Sequence, residues 1–535
     1  MNRFLGMFLC LLIAIGVYAQ DSKPPENWFT LDPESDKVQG VSADRVYREM
    51  KEREGRTVIV AVIDSGVDIE HEDLQGKIWK NEDEIAGNGI DDDKNGYADD
   101  VYGWNFIGGK DGRNVGPDTY ELTREYVRLK EKYEGVEKPK RRDREEFEYW
   151  KEIQSKFLEE YEKADGQYKF YKQLQENTIR YYSLLRAYLD VDTLTLEMIK
   201  QVQSQDSVIQ SAQQTVGMIM MNMGEDIPYE QLVGFLDEAV SYFEDRALYG
   251  YNPDFNPRDI VGDNWDEPYE IGYGNPDVEG PDASHGTHVA GIIAADRNND
   301  IGIKGIAENV LIMPVRAVPD GDERDKDIAN AIRYAVDNGA DIINMSFGKG
   351  YSHRKQLVDE AIQYAESKGV LCVHAAGNSS DNLDEVTNFP TPVLEDGRRA
   401  ENWLEVGASG WGENENFVGS FSNYGQTTVD LFAPGVQIFS LYPDNKYEFA
   451  SGTSMAAPST SGVAAVLMSY FPDLTAKQVK TILVESTRKF GDLQVARPGS
   501  GDLVPFADLS MTGGMVNAMK AIKMAEQLES GSIEK

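Results

Sequence analysis

Four polar residues of this 535-residue chain have the types and local settings that nucleophilic catalysis needs. Ser454 lies in Ser451-Gly452-Thr453-Ser454-Met455-Ala456-Ala457-Pro458, ahead of a helix-like apolar run over 463–468. A serine hydroxyl attacks a carbonyl only once a base takes its proton, and a helix N-terminus adds backbone N–H groups near the oxyanion that forms. On its own Ser454 also fits a plain helix N-cap. His285 opens His285-Gly286-Thr287-His288-Val289-Ala290-Gly291, the start of a helix of small and apolar residues. Zinc-binding histidines on a helix stand four apart with a glutamate between them. His285 and His288 stand three apart without one, so the pair does not read as a zinc site. His285 reads instead as a base exposed at a cleft, and His288 as a packing residue. Asp64 closes the apolar run 57–64, and Asn378 follows Ala375-Ala376-Gly377 at the end of another. An asparagine amide there can donate to a developing oxyanion, although Asn after Gly is more often a turn.

These residues need strand ends and helix starts to hold them. The near-continuous apolar segments 57–64, 310–315, 341–345 and 369–375 have the pattern of strands buried on both faces of a parallel sheet. Amphipathic helical stretches lie between them, such as 327–338 and 354–368. The alternation predicts a doubly wound α/β fold with a mostly parallel sheet, whose strand ends line the ligand crevice. The region 118–250 differs in kind. Phe147, Trp150, Gln154, Phe157, Tyr161, Ala164, Tyr168 and Tyr171 step by threes and fours along one long helix, in a mostly aromatic seam. Pro228 opens a second helical pattern carrying Leu232, Phe235, Leu236 and Val240. We expect an inserted α-helical subdomain whose seam packs internally, a partner-binding face being the alternative.

Taken in chain order, the motifs run Asp64, His285, Asn378, Ser454. In this order they resemble the subtilisin-like serine peptidases (subtilases), whose three signature segments are matched by residues 61–68, 285–291 and 452–458. The α/β-hydrolase order is Ser, Asp, His and the chymotrypsin order His, Asp, Ser, so chain order separates the families. The resemblance spans residues 55–108 and 258–522, and implies a secreted endopeptidase acting on proteins or peptides without a catalytic cofactor. It further implies that Asp64 orients His285, His285 shuttles the proton, Ser454 attacks and Asn378 holds the oxyanion. Ser346, Phe347 and Gly348 resemble the strand that pairs with substrate backbone, and Ala376 and Gly377 are expected to bind substrate as well. The separation of 221 positions from Asp64 to His285 far exceeds the few tens usual in the family, and the helical insertion accounts for the excess. The boundaries expected are 20–54 for an N-terminal extension, 55–117 and 251–522 for the two parts of the peptidase core, 118–250 for the insertion and 523–535 for a C-terminal tail.

The net charge of −39 repels nucleic-acid phosphates and anionic membranes. Arg3 followed by an apolar run to Tyr18, with Val17-Tyr18-Ala19 before Gln20, reads as a signal peptide over residues 1–19. The run is short for a membrane span, so we expect export to the periplasm or the extracellular space with no span in the mature chain. Its loss removes Cys10 and leaves Cys372 alone in an apolar stretch, a buried thiol without a disulfide partner. Asp91, Asp93, Asn95 and Asp99 around Gly96 match calcium-loop positions, but Tyr102 stands where an EF-hand has its glutamate. A structural calcium turn or a solvated acidic loop both fit.

Overall fold

The structure, a computed structural model, describes residues 23–223 and 228–531. The leader expected over residues 1–19 lies outside the described residues. Among the described residues, no helix is long and apolar enough to cross a membrane.

The chain divides into two compact units, Leu122–Phe255 and the segments Pro24–Glu121 with Asn256 onwards. In the larger unit thirteen strands follow one another: β1 (Val58–Asp64), β2 (Trp104–Asn105), β3 (Val310–Arg316), β4 (Ile342–Met345), β5 (Leu371–Ala375), β6 (Trp403–Ser409), β7 (Leu431–Pro434), β8 (Ile438–Tyr442), β9 (Lys446–Ala450), β10 (Arg488–Lys489), β11 (Gln494–Ala496), β12 (Leu503–Pro505) and β13 (Gly514–Met515). Nine of them form one sheet in the order β10-β13-β7-β6-β5-β4-β1-β3-β2. All its pairings are parallel except β10 with β13 at the edge. Two small hairpins, β8–β9 and β11–β12, stand apart from it.

Strand alternation sends the side chains of β1 to two different cores. Val58, Val60 and Val62 join one hydrophobic cluster with Val289, Ile292, Ala456 and Val463. Ala61 and Ile63 join the other with Ile328, Ile332, Val358 and Ile362. Helices therefore cover both faces of the sheet, as in a doubly wound α/β fold. Helices Ser284–Ala294 and Thr453–Tyr470 cover the first face, and Asp325–Asp337 and Lys355–Lys368 the second. β1 lies between β3 and β4, so the connections leave it in opposite directions and open a crevice at its carboxyl end.

Residues 24–50 belong to this unit: Trp28, Phe29, Val41, Ala43 and Val46 are fully buried in the first core. Helix Ala518–Glu529 runs across residue 523, where the sequence suggests a tail. The points where the chain leaves for the insertion and returns are clasped together. Arg324 donates to both carboxylate oxygens of Asp118, at 2.7 and 2.9 Å, and to Asn256 Oδ1 at 3.2 Å. That clasp explains how two residues 221 positions apart, Asp64 and His285, can still meet.

The unit Leu122–Phe255 is helical, dominated by the 46-residue helix Arg144–Leu189. Phe147, Trp150, Phe157 and Ala164 of the aromatic seam are buried, and Tyr126 stacks on Trp150 and Phe157. Tyr171 stacks on Phe243, whereas Tyr161 remains exposed. The seam thus packs mainly within its own unit.

Candidate active site

The crevice gathers the ends of β1, β4 and β5 with the first turns of two helices. Asp64 ends β1, its carboxylate nearly inaccessible, and the chain leaves through Gly66 at φ +137°. A side chain at 66 would meet Glu279 O at 2.0 Å, so this turn requires glycine. Asp64 Oδ1 accepts from Ser65 N at 2.8 Å and from His285 Nδ1 at 2.7 Å. A carboxylate can only accept, so Nδ1 carries the hydrogen and Nε2 keeps its lone pair. The approach is close because Gly286 has no side chain; a Cβ there would lie 2.0 Å from Gly66 O. Burial pulls the His285 imidazole down, but the charge of Asp64, its hydrogen bond and the charge of Asp282 outweigh that and hold it above its ordinary range. The ring remains 38% exposed, open to a reacting group.

His288 lies one turn on and serves packing. Its Nε2 bonds the carbonyls of Ile438 and Glu448 across the β8–β9 hairpin, both at 3.2 Å. Burial, with the neighbouring His285 charge, pushes it down to about 4, so it stays neutral.

Asn378 follows β5, and its Oδ1 accepts from Thr453 N at 2.9 Å and Thr453 Oγ1 at 3.0 Å. That fixes the amide so that Nδ2 faces away from Thr453. A Cβ built on Gly452 would lie 3.4 Å from Asn378 Nδ2 and 3.6 Å from Ser454 N. Both donors therefore border one spot, which only a glycine at 452 leaves open. Ser454 is the second residue of helix Thr453–Tyr470, where a backbone N–H has no intrahelical acceptor.

The Ser454 hydroxyl donates to Ser346 O at 3.2 Å. Ser346 Oγ donates in turn to Ser454 O at 2.9 Å, and behind it Asn344 Nδ2 bonds Ser346 Oγ at 3.0 Å. Ser461 Oγ completes the relay on Asn344 Oδ1 at 2.8 Å. The structure thus joins Asp64 to His285 and Asn378 to the start of the serine helix. Among the described residues it does not join His285 to Ser454 by a hydrogen bond.

Ser346, Phe347 and Gly348 continue from β4, beside Ala376 and Gly377 from the neighbouring β5. The Ala376 carbonyl accepts from Asn423 Nδ2 at 2.8 Å and Asn388 Nδ2 at 3.2 Å. A Cβ on Gly348 would meet Asn388 Nδ2 at 2.7 Å. Thr453, Asn344, Asn388 and Asn423 all support the site without having been singled out from sequence. Thr453 sits inside the serine motif, but nothing local marks Asn388.

The acidic loop assembles differently from its expected pattern. Carboxylate oxygens of Glu84, Asp93 and Asp100 lie within 4.8 Å of one another. Asp99 instead accepts from Asn88 N and Gly89 N, and Asn95 Oδ1 caps Tyr97 N. Asp91 Oδ2 accepts from Gly96 N, while its Oδ1 is buried without a hydrogen-bond partner. Burial raises the Asp100 carboxyl to about 6 against hydrogen bonds from Tyr334, Asn95 and Asn81, with the Asp93 charge adding to the rise.

A family model described as the subtilase family matches residues 55–501. The chain is 39% identical over 244 residues to a thermophilic serine proteinase of Bacillus sp. (strain AK1), covering 45% of this chain and 52% of that protein. It is 37% identical to subtilisin DY of Bacillus licheniformis, over 39% of this chain and 72% of that protein. Thermitase of Thermoactinomyces vulgaris is 34% identical, over 45% and 75% respectively. The chain thus spans about half the length of the first relative and about three quarters of the other two.

Proposed function

The chain belongs to the subtilase family of serine endopeptidases, and on that premise we propose that it is an exported enzyme cleaving proteins or peptides through an acyl-enzyme on Ser454. The observation that carries this reading is the 2.7 Å bond from His285 to Asp64, which leaves Nε2 as the base facing the cleft. For attack, the hydroxyl leaves the Ser346 carbonyl and gives its proton to Nε2. Asp64 holds the tautomer and stabilises the imidazolium that forms. The oxyanion is taken by Asn378 Nδ2 and Ser454 N beside Gly452. The imidazolium protonates the departing amine, and a water activated by the same nitrogen then hydrolyses the ester. Substrate backbone lies along Ser346–Phe347–Gly348 and Ala376–Gly377. A leader over residues 1–19 would take the chain to the periplasm or beyond.

Incubating the protein with a peptide library and with simple esters tests the reaction class. Peptide cleavage abolished by a fluorophosphonate is expected; turnover of esters alone would make it an acyl hydrolase, and no turnover of either would leave a binding protein. Replacing Asn378 by Asp keeps the acceptor that Thr453 uses but removes the amide donor. We expect kcat to fall by about 10² to 10³ with KM little changed, and an unaltered kcat would refute the oxyanion role.

We also assign a structural calcium to the acidic loop, held by Glu84, Asp93 and Asp100. Three hard oxygen donors fit that ion, and the same loop carries the buried Asp91 Oδ1, which has no hydrogen-bond partner among the described residues. At a hundredfold excess over Kd such an ion adds about 2.7 kcal/mol of stability. A chelator should then lower Tm clearly in the wild type and not in a Glu84→Gln variant; a chelator-insensitive wild type removes the ion.

A further inference from the structure

Arg316 ends β3 directly beside the catalytic aspartate, since Asp64 and Arg316 are register partners in the parallel pair β1–β3. It is only 2% exposed. Its guanidinium donates to three oxygens, on strand β2 and on the connections before and after it: Nε to Ser65 O at 2.7 Å, Nη2 to Val115 O at 2.6 Å and Nη1 to Asn105 Oδ1 at 3.3 Å. Among the described residues it has no carboxylate at ion-pair distance. A buried cation without a direct counterion is costly, and core packing alone would have been served by an apolar side chain.

It holds the turn after the acid and packs against the segment that leads to the base. Below, it holds the carbonyl of Ser65, the residue after Asp64, whose own carbonyl accepts from Ala317 N and Val318 N. Above, the segment leading to the histidine helix passes so close that a Cβ on Gly280 would lie 2.2 Å from Arg316 Nε. The same segment bonds the turn after Asp64 through Val67 N to Val278 O at 3.0 Å. The charges around it are acidic. Asp277, Asp282 and Asp320 act on the guanidinium, and Asp282 acts with Asp64 on His285. Glu279, facing Asp68, Glu70, Asp277 and Asp444, belongs to the same rim, and neutral His288 lies behind His285.

We propose that Arg316 is a positioning residue of the catalytic centre, fixing the Asp64-Ser65-Gly66 turn through Ser65 O and placing a buried positive charge beside Asp64, against the acidic field on His285. The inference rests on the serine-peptidase reading. Without that charge, less opposes Asp64 and Asp282 and the imidazolium is further stabilised. Neutral His285, the catalytic form, is then reached only at higher pH.

The test compares Arg316→Lys, which keeps the charge and one donor, with Arg316→Gln, which keeps a donor and loses the charge. Wild-type labelling of Ser454 by a fluorophosphonate is measured first; its failure rejects the peptidase reading and is distinct from any result on Arg316. In Arg316→Gln, kcat should fall on the order of 10²-fold with KM little changed. The acidic limb of kcat/KM should move up by roughly half a pH unit or more. Arg316→Lys should keep kcat within about tenfold of wild type and leave the limb in place. Arg316→Met replaces the glutamine variant if that does not fold. A folded neutral variant whose limb stays at the wild-type pH overturns the proposal, as does a lysine variant whose limb moves with the glutamine one. A chain that folds with Lys but with neither neutral residue also overturns it, in favour of a purely structural cation.

Discussion

With His285 replaced by alanine, kcat for peptide hydrolysis falls by about 10⁶, and replacing Ser454 as well adds almost nothing. The reason is that the two residues act as one device. The Ser454 hydroxyl at rest donates to the Ser346 carbonyl, an acceptor that cannot take its proton. His285 Nε2 is the only base that the triad reading supplies, so without it the hydroxyl is no better a nucleophile than water. What remains in either variant is the oxyanion site of Asn378 and Ser454 N together with substrate binding, worth about 10³ to 10⁴ over the uncatalysed reaction. Steady-state rates of both single variants and the double variant check this. Losses that multiply in the double variant would show that serine and histidine act separately, contrary to the account.

Asp64→Asn should lower kcat by about 10⁴ and shift the pH dependence in a defined direction. The carboxylate fixes hydrogen on Nδ1; an amide can present a donor there instead and favour the wrong tautomer. The sign of the pH effect follows from the charge removed. In the wild type, Asp64 and Asp282 hold the His285 imidazole above its ordinary value. Activity needs the neutral ring, so it is lost as pH falls through that raised value. Without the Asp64 charge the ring is easier to deprotonate, and the acidic limb of kcat/KM moves to lower pH. A limb that stays put or moves upward would contradict the assigned electrostatics.

The two mutations probe parts of the site that differ in how plainly they are written in the sequence. Asp64, His285 and Ser454 could be read because each sits in a short motif whose glycines answer a local steric demand. Gly66, Gly286 and Gly452 all border places where a Cβ would block the turn, the approach of the histidine helix, or the spot shared by two donors. The burial of β1 on both faces could be read for the same reason, as a property of neighbouring residues.

What could not be read depends on pairings between distant segments. The resting bond of Ser454 to Ser346 joins residues 108 apart, and the relay through Asn344 to Ser461 extends it. The clasp of Arg324 on Asp118 and Asn256 closes the points where the insertion leaves and returns, and the change in kind over 118–250 does not reveal that pairing. In the acidic loop, spacing suggested Asp91, Asp93, Asn95 and Asp99. Left-handed backbone at Lys94 and Asp99, however, accompanies a loop that brings Asp93 to Glu84 and Asp100. Arg316 gave no signal at all, because an arginine at a strand end acquires meaning only from the carbonyls around it.

The central claim is that His285 activates Ser454, and covalent labelling addresses it most directly. The protein is treated with a tagged fluorophosphonate, digested, and the modified residue located by mass spectrometry, in the wild type and in His285→Ala. The account predicts modification of Ser454 alone in the wild type, and essentially none in the variant. Modification of a different serine, or equal labelling of Ser454 without the histidine, would contradict it.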